Sequence, residues 1–435
     1  MKTLIYSLAL SLCLGPLLAK EAIKIEKTAH VKIDVAVDSD IEIDASNTDV
    51  IIDVWDEPRI EVEAVFRFRG KEHEDKIQEF LKTFQQKVSD GVSKSGNSVY
   101  INTYHCMPSK VKIGWEDFII VNTTFSREEV QFQYHIKMPA QGKLKIKHSY
   151  RDLRINGDVN LFTLEQYSGR FAVNNIHKGE LTLRYGKASI QNLDKGSINL
   201  YENDIQAKRI GKLILNIKYS NLQATEIGKL KIECYESEIE ALKIDRLEGN
   251  LKYSHVKTDR MQDLKVNTYE SRFAIREVKT VTLSNSKYSR YEFEKADIIT
   301  VGESYEDKVN VGSVVDFNAG NSKYSQHNIG KLEKNYHLEG YECDLNIAKL
   351  QGPGGEISIN GKYLKVAINT EAAIFDLTAS LQYGKVDFPT EAVDSKVMKN
   401  GNNTLINLSQ KSPIYKKEEA YHILINGYEV KANLY

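Results

Sequence analysis

Apolar and polar residues alternate along most of the chain, and a small residue interrupts the alternation at regular intervals. In residues 213–217 every second position is apolar, Ser220 follows, and the alternation resumes at Leu222 and Ala224. An alternation of period two is typical of a half-buried β-strand. Serine, asparagine, glycine and aspartate are common where the chain turns. The pattern therefore predicts short strands that meet at a corner.

The corner residues recur at steps of 17 or 18 residues. They are Gly169, Gly186, Asn203, Ser220, Ser237, Ser254, Ser271, Ser289, Asp307, Ser325 and Cys343. Arg151 begins the series, and Leu364 and Gly384 extend it less regularly. A unit this short cannot bury its apolar face alone, whereas stacked copies can. We therefore predict an all-β fold, a single parallel β-solenoid (β-helix) of about 14 coils of ~17–18 residues.

The residues outside the repeat predict the two ends of the rod. Residues 1–19, with Lys2 before a short apolar run, are interpreted as a signal peptide. Residues 20–145 are expected to form a less regular N-terminal β region and cap, and 146–390 the regular solenoid. The C-terminal cap strands are placed at 391–435, and the last of them at 421–435. An amphipathic helix is predicted near 73–88, with one apolar face formed by Ile77, Phe80, Leu81, Phe84 and Val88.

Tyrosine is abundant, with 24 residues against 14 phenylalanines and 2 tryptophans. Two residues before the corner, at position −2, tyrosine alternates with a cation from coil to coil, and parity places this position outside. The candidate binding stripe comprises Tyr167, Tyr201, Lys218, Tyr235, Lys252, Tyr269, Lys287, Tyr305, Lys323 and Tyr341. Each cation lies between aromatic rings, which suits cation–π contact. The stripe is either structural stacking or a docking surface for a glycan or an extended partner.

Directly before the corner, at position −1, tyrosine alternates with glutamate, as in Tyr219, Glu236, Tyr253 and Glu270. Parity points this position inward at the end of the strand. We therefore expect these tyrosine rings to close the edge of the core. The glutamates are expected to reach solvent or a tyrosine hydroxyl.

Segments at the start of the mature chain resemble a known family. Residues 40–64 (DIEIDASNTDVIIDVWDEPRIEVEA) and 134–160, in which Met138, Pro139 and Ala140 lead into the first coils, resemble the bacterial putative-adhesin β-solenoid family. The resemblance covers most of the mature chain through soft motifs, and the corners here are mostly Ser, Asn or Asp where that family often has Gly. It implies a fold in a domain of unknown function and an exported bacterial protein. It implies no activity.

Charge and cysteine content exclude several classes of protein. The 59 Lys and Arg nearly balance the 60 Asp and Glu, so nucleic acid is not an expected partner. Beyond the leader no apolar run is long enough to span a bilayer, so an integral membrane protein is not expected. Cys106, Cys234 and Cys343 are odd in number and widely spaced, which disfavours a disulfide framework and a zinc site. We expect no cofactor.

Catalytic chemistry finds little support in the sequence. The glutamates at position −1 recur every second coil, ~9.6 Å apart, which exceeds the spacing of a retaining glycosidase pair. His148, His177, His255 and His327 are scattered, and we expect surface or corner residues rather than bases. The sequence favours a non-catalytic exported binding or scaffold protein, adhesin-like, in the periplasm or at the cell surface, with a glycan or an envelope protein as partner. The alternatives are a periplasmic envelope-signalling component and a carbohydrate-active β-helix enzyme.

Overall fold

A computed structural model describes residues 23–70, 74–104, 130–371, 373–391, 393–410 and 419–435. The predicted signal peptide at 1–19 and Cys106 lie outside the described residues. Within them the chain is nearly all β, a parallel β-solenoid of about 13 turns with a less regular N-terminal β region and one helix. The predicted fold class is confirmed, with about 13 turns where about 14 were expected.

The N-terminal region combines an antiparallel sheet with an early pair of parallel strands. Its elements are β1 (Ile23–Asp34), β2 (Asp40–Ser46), β3 (Asp49–Trp55), β4 (Arg59–Gly70), α1 (Glu74–Asp90), β5 (Val92–Ser95), β6 (Ser98–Asn102) and β7 (Val130–Pro139). β4 lies between β1 and β7, antiparallel to both. β2 and β3 meet at Asn47 and stack in parallel on the first strands of the solenoid. This pair is therefore a solenoid coil that is separated in sequence from the others.

Helix α1 packs its predicted apolar face against the N-terminal strands. Ile77, Phe84 and Val88 are buried, and Phe80 and Leu81 are partly buried against the core. The ring of Phe66 in β4 lies 5.2 Å from that of Phe80 and 6.2 Å from that of Phe84. The helix predicted near 73–88 is thus present, and the aromatic cluster fixes it on the sheet.

The regular solenoid stacks its strands in parallel, with equivalent residues in register. Its strands are β8 (Lys143–Ser149), β9 (Leu153–Lys218), β10 (Asn221–Tyr235), β11 (Glu238–Lys252), β12 (His255–Tyr269), β13 (Arg272–Lys287), β14 (Arg290–Tyr305), β15 (Lys308–Lys323) and β16 (Gln326–Tyr341). In the coil 221–237, Leu222, Ile227 and Leu230 point inward. Runs of residues that lack full burial occur at 223–226, 228–229 and 235–236, which indicates that each coil turns at three places.

The C-terminal end departs from the prediction. Its strands are β17 (Asp344–Ile347), β18 (Gly355–Lys362), β19 (Lys365–Ile368), β20 (Phe375–Gln382), β21 (Lys385–Asp387), β22 (Val393–Asn400), β23 (Asn403–Gln410), β24 (Tyr421–Tyr428) and β25 (Lys431–Leu434). β24 pairs in parallel with both β18 and β20, and β25 with both β19 and β21. The last coil is therefore inserted between two earlier coils. It is not an outer cap strand, because both of its strands pair with a coil on either side.

The antiparallel hairpin β22–β23 takes the outer place instead. β23 pairs with β20 along the edge that the inserted coil leaves free. Pairing this edge removes a row of exposed amides and carbonyls that would otherwise invite association with other strands. The hairpin also returns the chain to the position where β24 begins.

The core contains polar residues that the sequence analysis placed elsewhere. His148 and His327, expected at the surface or a corner, are 3% and 1% exposed. A ring nitrogen of His148 lies 2.9 Å from the carbonyl oxygen of Thr48, and His327 Nδ1 lies 2.7 Å from the hydroxyl of Tyr336. Burial lowers the pKa of His327 to about 4. Cys234 and Cys343 are buried and free.

Candidate functional site

The backbone at position −1 has a left-handed conformation in every regular coil. The φ angle is 53° at Tyr219, 44° at Glu236, 53° at Tyr253 and 45° at Glu270. Residues other than glycine, asparagine and aspartate rarely adopt this conformation, because Cβ crowds the carbonyl oxygen. A left-handed residue also breaks the strict in-and-out alternation of a strand.

The left-handed turn reverses the predicted orientation of position −1. Tyr219 and Tyr253 are 44% and 43% exposed, whereas Ser220 and Ser254 that follow them are 2% and 5% exposed. The expectation that these tyrosine rings close the edge of the core was wrong. They point outward, and the small corner residue occupies the interior.

The outward tyrosines form one continuous row, which we call the tyrosine ladder. Its members in spatial order are Tyr150, Tyr167, Tyr185, Tyr201, Tyr219, Tyr235, Tyr253, Tyr269, Tyr288, Tyr305, Tyr324, Tyr341, Tyr363, Tyr428 and Tyr383. Neighbouring rings meet edge to face with centroids 5.0 Å apart at the shortest contact and 5.7 Å at the longest. This geometry suits the quadrupoles of the rings. Positions −1 and −2 contribute alternately, so two sequence rows merge into one spatial row.

The predicted stripe is thus part of this ladder, and its lysines lie beside it. Tyr235 is in register with Lys218 and Lys252 in the neighbouring coils, as parity predicts. These lysines are exposed. The expected cation–π contacts are absent from the ladder within the described residues, because a tyrosine at position −1 occupies the place beside each ring. Cations do lie over the ring of Trp55 in the N-terminal region.

In several coils the glutamate at position −1 binds the tyrosine hydroxyl, which is one of the two alternatives that the sequence left open. A hydrogen bond to the Glu236 carboxylate raises the pKa of Tyr235 to about 12. The same interaction with Glu202 raises the pKa of Tyr201, and that with Glu342 raises the pKa of Tyr341. The phenol is stabilised because its proton is shared with a carboxylate and its anion would face a negative charge. The hydroxyls in alternate coils are therefore held as donors.

A second row, which we call the serine ladder, runs inside the corner. The backbone amide of each corner residue donates to the side chain of the next, as from Ser220 to Ser237 Oγ at 3.1 Å and from Ser237 to Ser254 Oγ at 3.3 Å. Each hydroxyl in turn donates to the carbonyl two residues earlier, as from Ser254 to Lys252 at 2.7 Å. The serine ladder provides acceptors for the buried corner amides, which the turn leaves without strand partners. The carbonyls also accept from a backbone amide, as that of Lys252 does from Glu236 at 3.0 Å.

Asp307 interrupts the serine ladder. Its Oδ1 accepts from the amide of Ser289 at 2.8 Å, but an ionised carboxylate cannot donate to a carbonyl as serine does. Burial raises the pKa of Asp307 to about 6, although the hydrogen bond from the Ser289 amide acts in the opposite direction and lowers this pKa. Near neutral pH this coil therefore holds a buried charge where its neighbours hold a hydroxyl.

The residues directly after the corner, at position +1, form an exposed row that the sequence analysis missed. Their side chains point outward, as those at position −1 do, and only the buried corner residue lies between the two positions in the sequence. Asp152 and Arg170 form an ion pair in adjacent coils, and Asn221 donates to Asp204 at 2.9 Å. Aligning the coils on the corner and reading the charge at the next residue would have found this row.

Two further features bear on function. No group of three or more potential metal ligands occurs in the part of the chain that the structure describes. Among the same residues, no helix has the length and apolar character needed to cross a bilayer.

Comparisons with known proteins give solved structures of low similarity. No family model matches the chain, and no curated protein matches it. A "putative cell adhesion protein" from Clostridium sporogenes shares 8% identity over 94% of this chain and 99% of its own, with a TM-score of 0.18. A "putative adhesin" from Bacteroides fragilis shares 12% identity over 66% of this chain and 96% of its own, with a TM-score of 0.24.

A third similar structure carries a different description. A "putative lipid binding protein" from Parabacteroides distasonis shares 10% identity over 76% of this chain and 96% of its own, with a TM-score of 0.17. Scores this low carry no argument, so the solenoid rests on the strand pairing described above. Two of these three similar structures are thus described as a "putative adhesin" or a "putative cell adhesion protein".

Proposed function

We propose that the protein is an exported, non-catalytic, adhesin-like rod of the bacterial cell envelope or surface that holds an extended polymer along its tyrosine ladder. A row of rings with the same spacing from coil to coil suits a ligand that is itself a repeating chain. Tyrosine offers such a ligand an apolar ring face and a polar hydroxyl. The observation that carries the proposal is the unbroken, exposed ladder itself.

The residue types at position −1 support a function for their side chains beyond forming the turn. A left-handed residue costs roughly 1–2 kcal/mol when it is not glycine. Position −1 is nevertheless Tyr or Glu in every coil from 185 to 383, and glycine never takes the place. A turn that served the fold alone would gain from glycine. Contacts between the partly exposed rings offset part of this cost. A role in binding would explain why residues with the remaining cost are kept.

The exposed location also favours binding over structural stacking. Tyr219, Tyr253, Tyr288 and Tyr324 each leave about two fifths of their surface open, between 40% and 44%. Long rows of half-exposed aromatic side chains are typical of sites that meet partners. The lysines at position −2 add polar groups along one side of the row.

The test removes rings without disturbing the turn. In a variant with Tyr219→Gly, Tyr253→Gly, Tyr288→Gly and Tyr324→Gly, glycine accepts the left-handed backbone, so the solenoid should persist in circular dichroism. We expect its retardation in affinity electrophoresis through a panel of acidic and neutral polysaccharides to be lost. Retardation equal to that of the unchanged protein would rule out the ladder as the binding surface.

A matched control removes exposed apolar surface elsewhere. Ile214 and Leu242 are 60% and 61% exposed and lie off the ladder. Ile214→Ser together with Leu242→Ser should leave retardation unchanged. If this control binds as poorly as the glycine variant, binding depends on general apolar exposure and the ladder has no special part. Protease treatment of intact cells then distinguishes the surface from the periplasm.

A further inference from the structure

The row at position +1 changes its charge pattern along the rod. In the first six regular coils it reads Asp152, Arg170, Lys187, Asp204, Asn221 and Glu238. Here the two cations face carboxylates: Arg170 pairs with Asp152, and Lys187 lies 4.0 Å from Asp204. Opposite charges in adjacent coils stabilise a stacked row. In these coils the cations are therefore neutralised by carboxylates of the same row.

The remainder of the row is strongly basic. After His255 it reads, in spatial order, Arg272, Arg290, Lys308, Gln326, Asp344, Lys365, Lys431 and Lys385. Six of these eight residues are cations and one is a carboxylate. Like charges stacked ~4.8 Å apart repel each other. In this part of the row, neighbouring cations are therefore not balanced by carboxylates of the same row as they are in the first coils.

Three of the six cations have no acidic partner. Within the described residues, Arg290 pairs with Glu292, Lys365 with Asp344, and Lys385 with Asp387. No ion pair involves Arg272, Lys308 or Lys431 in the same part of the chain. The segment Arg272, Arg290 and Lys308 is the longest uninterrupted run before the inserted coil, and we call it the basic segment. It lies beside Tyr269, Tyr288 and Tyr305 of the ladder.

We propose that the ladder and the basic segment together bind an acidic polysaccharide, a chain of sugars that carries carboxylates at regular intervals. This inference rests on the proposed function and adds the class of the polymer. Guanidinium groups match carboxylates in a planar, two-bond geometry, which favours Arg272 and Arg290 for this task. The rings offer apolar faces to the sugars while the row alongside neutralises their acids.

The neighbouring charges favour this polymer over a nucleic acid. Glu270 and Glu306 lie at position −1 in the coils of Arg272 and Lys308. A phosphate backbone carries a charge every ~3.4 Å along each strand, so part of it would face these carboxylates. A more widely spaced row of acids can register with the cations alone.

The experiment compares one polymer with and without its charge. Binding of the full-length protein to polygalacturonate and to fully methyl-esterified pectin is measured by biolayer interferometry. Unchanged protein is expected to prefer polygalacturonate. The variant Arg272→Gln, Arg290→Gln and Lys308→Gln should bind polygalacturonate at least about tenfold more weakly and the esterified polymer as before.

The chain provides a control that matches both charge and spacing. Lys195, Lys212 and Lys229 occupy one row in three consecutive coils, at a different turn of the coil, ~20 Å along the strand from the tyrosine ladder. Changing all three to glutamine removes the same charge. This variant should bind polygalacturonate as the unchanged protein does. A loss as large as that of the basic-segment variant would mean general attraction to a polyanion and would overturn the inference.

The other outcomes separate this inference from the proposed function. Equal binding of both polymers that only the tyrosine-to-glycine variant abolishes would uphold the ladder and overturn acid recognition. Tighter binding of a single-stranded DNA oligomer than of polygalacturonate would also overturn it. No binding of either polymer by the unchanged protein would overturn acid recognition, and its retardation in the polysaccharide panel would then decide whether the proposed function stands.

Discussion

The outer and inner sides of the repeated corner are one residue apart in sequence and obey different rules. Inside, the serine ladder uses the corner position in the coils from Ser220 to Ser325 and repeats the same two hydrogen bonds in each of them except at Asp307. Outside, the tyrosine ladder draws on positions −1 and −2 in turn, and glutamate or lysine fills the position that tyrosine leaves. The inner row is uniform and the outer row has a period of two coils.

This difference follows from what each row must satisfy. Buried amides and carbonyls need a partner in every coil, so the inner residue cannot vary without cost. Exposed side chains need only avoid repulsion, and alternation keeps each Glu two coils from the next Glu, as in Glu236 and Glu270. The inner side therefore stabilises the fold. The outer side is free to serve binding, and experiments on adjacent residues can separate the two.

The largest expected effect comes from breaking the inner row. Ser254→Ala removes the acceptor of the Ser237 amide and the donor to the Lys252 carbonyl. The Lys252 carbonyl still accepts from the Glu236 amide, whereas the buried Ser237 amide is left without a partner, so we expect the free energy of unfolding to fall by about 1–3 kcal/mol. Urea denaturation measures the change.

The adjacent outer residue provides the comparison. Tyr253→Gly loses ring contacts with Tyr235 and Tyr269 but gains a residue suited to the left-handed turn. We expect a loss below about 1 kcal/mol. A loss at Tyr253 that equals or exceeds the loss at Ser254 would mean that the tyrosine ladder is mainly structural.

An effect of opposite sign is expected at Asp307, where the inner row is already broken. Asp307→Ser restores a hydroxyl that can both accept and donate, as at Ser289 and Ser325. The pKa of Asp307 is raised to about 6 from 3.8, so its ionisation costs the folded state up to about 3 kcal/mol. At pH 7 we therefore expect Asp307→Ser to raise the melting temperature.

The pH dependence identifies the cause. Below pH 3.8 the acid is protonated in the folded and unfolded states alike, and it carries no cost. As the pH rises to about 6 the unfolded state ionises first, so stability is lost over this window. The advantage of the serine variant should thus disappear near pH 4. An advantage that is equal at pH 4 and pH 7 would point to packing instead of charge. His327, whose pKa is lowered to about 4, acts oppositely and is common to both proteins.

The sequence predicts the inner side of the solenoid better than the outer side. Period, corner residues and inward positions such as Leu222 and Ile239 follow from alternation alone, because burial repeats in every coil. The outward orientation of Tyr219 does not follow from alternation. Counting parity assumes an unbroken strand, and the left-handed φ of 53° at Tyr219 interrupts the strand. The sequence alone also does not reveal that the tyrosines at position −1 and those at position −2 form one continuous row of ring contacts.

The place of the last coil could have been predicted from the outer row. Along the sequence, Tyr363 and Tyr383 both lie at position −1, so stacking their coils directly would break the alternation. Tyr428 and Glu429 form a coil of the other type, with tyrosine at position −2. Inserting it between the two restores the ladder through Tyr363, Tyr428 and Tyr383. The two-coil period thus encodes the order of stacking.

The smallest expected effect tests how the outer hydroxyls are held. Glu236→Gln keeps the size of the side chain but removes the charge that raises the pKa of Tyr235 to about 12. We expect this pKa to fall toward the ordinary value of about 10, with little change in stability because both groups are at the surface. At pH 11 Tyr235 should be mostly protonated in the unchanged protein and mostly ionised in the variant.

Carbon-13 labelling of the tyrosine Cζ atoms resolves the titration by NMR, and Tyr235→Phe assigns the signal. If the Tyr235 signal is unmoved by Glu236→Gln, the carboxylate does not hold the hydroxyl. The outer row would then be ordered by ring contacts alone, and only the inner row would be fixed by hydrogen bonds.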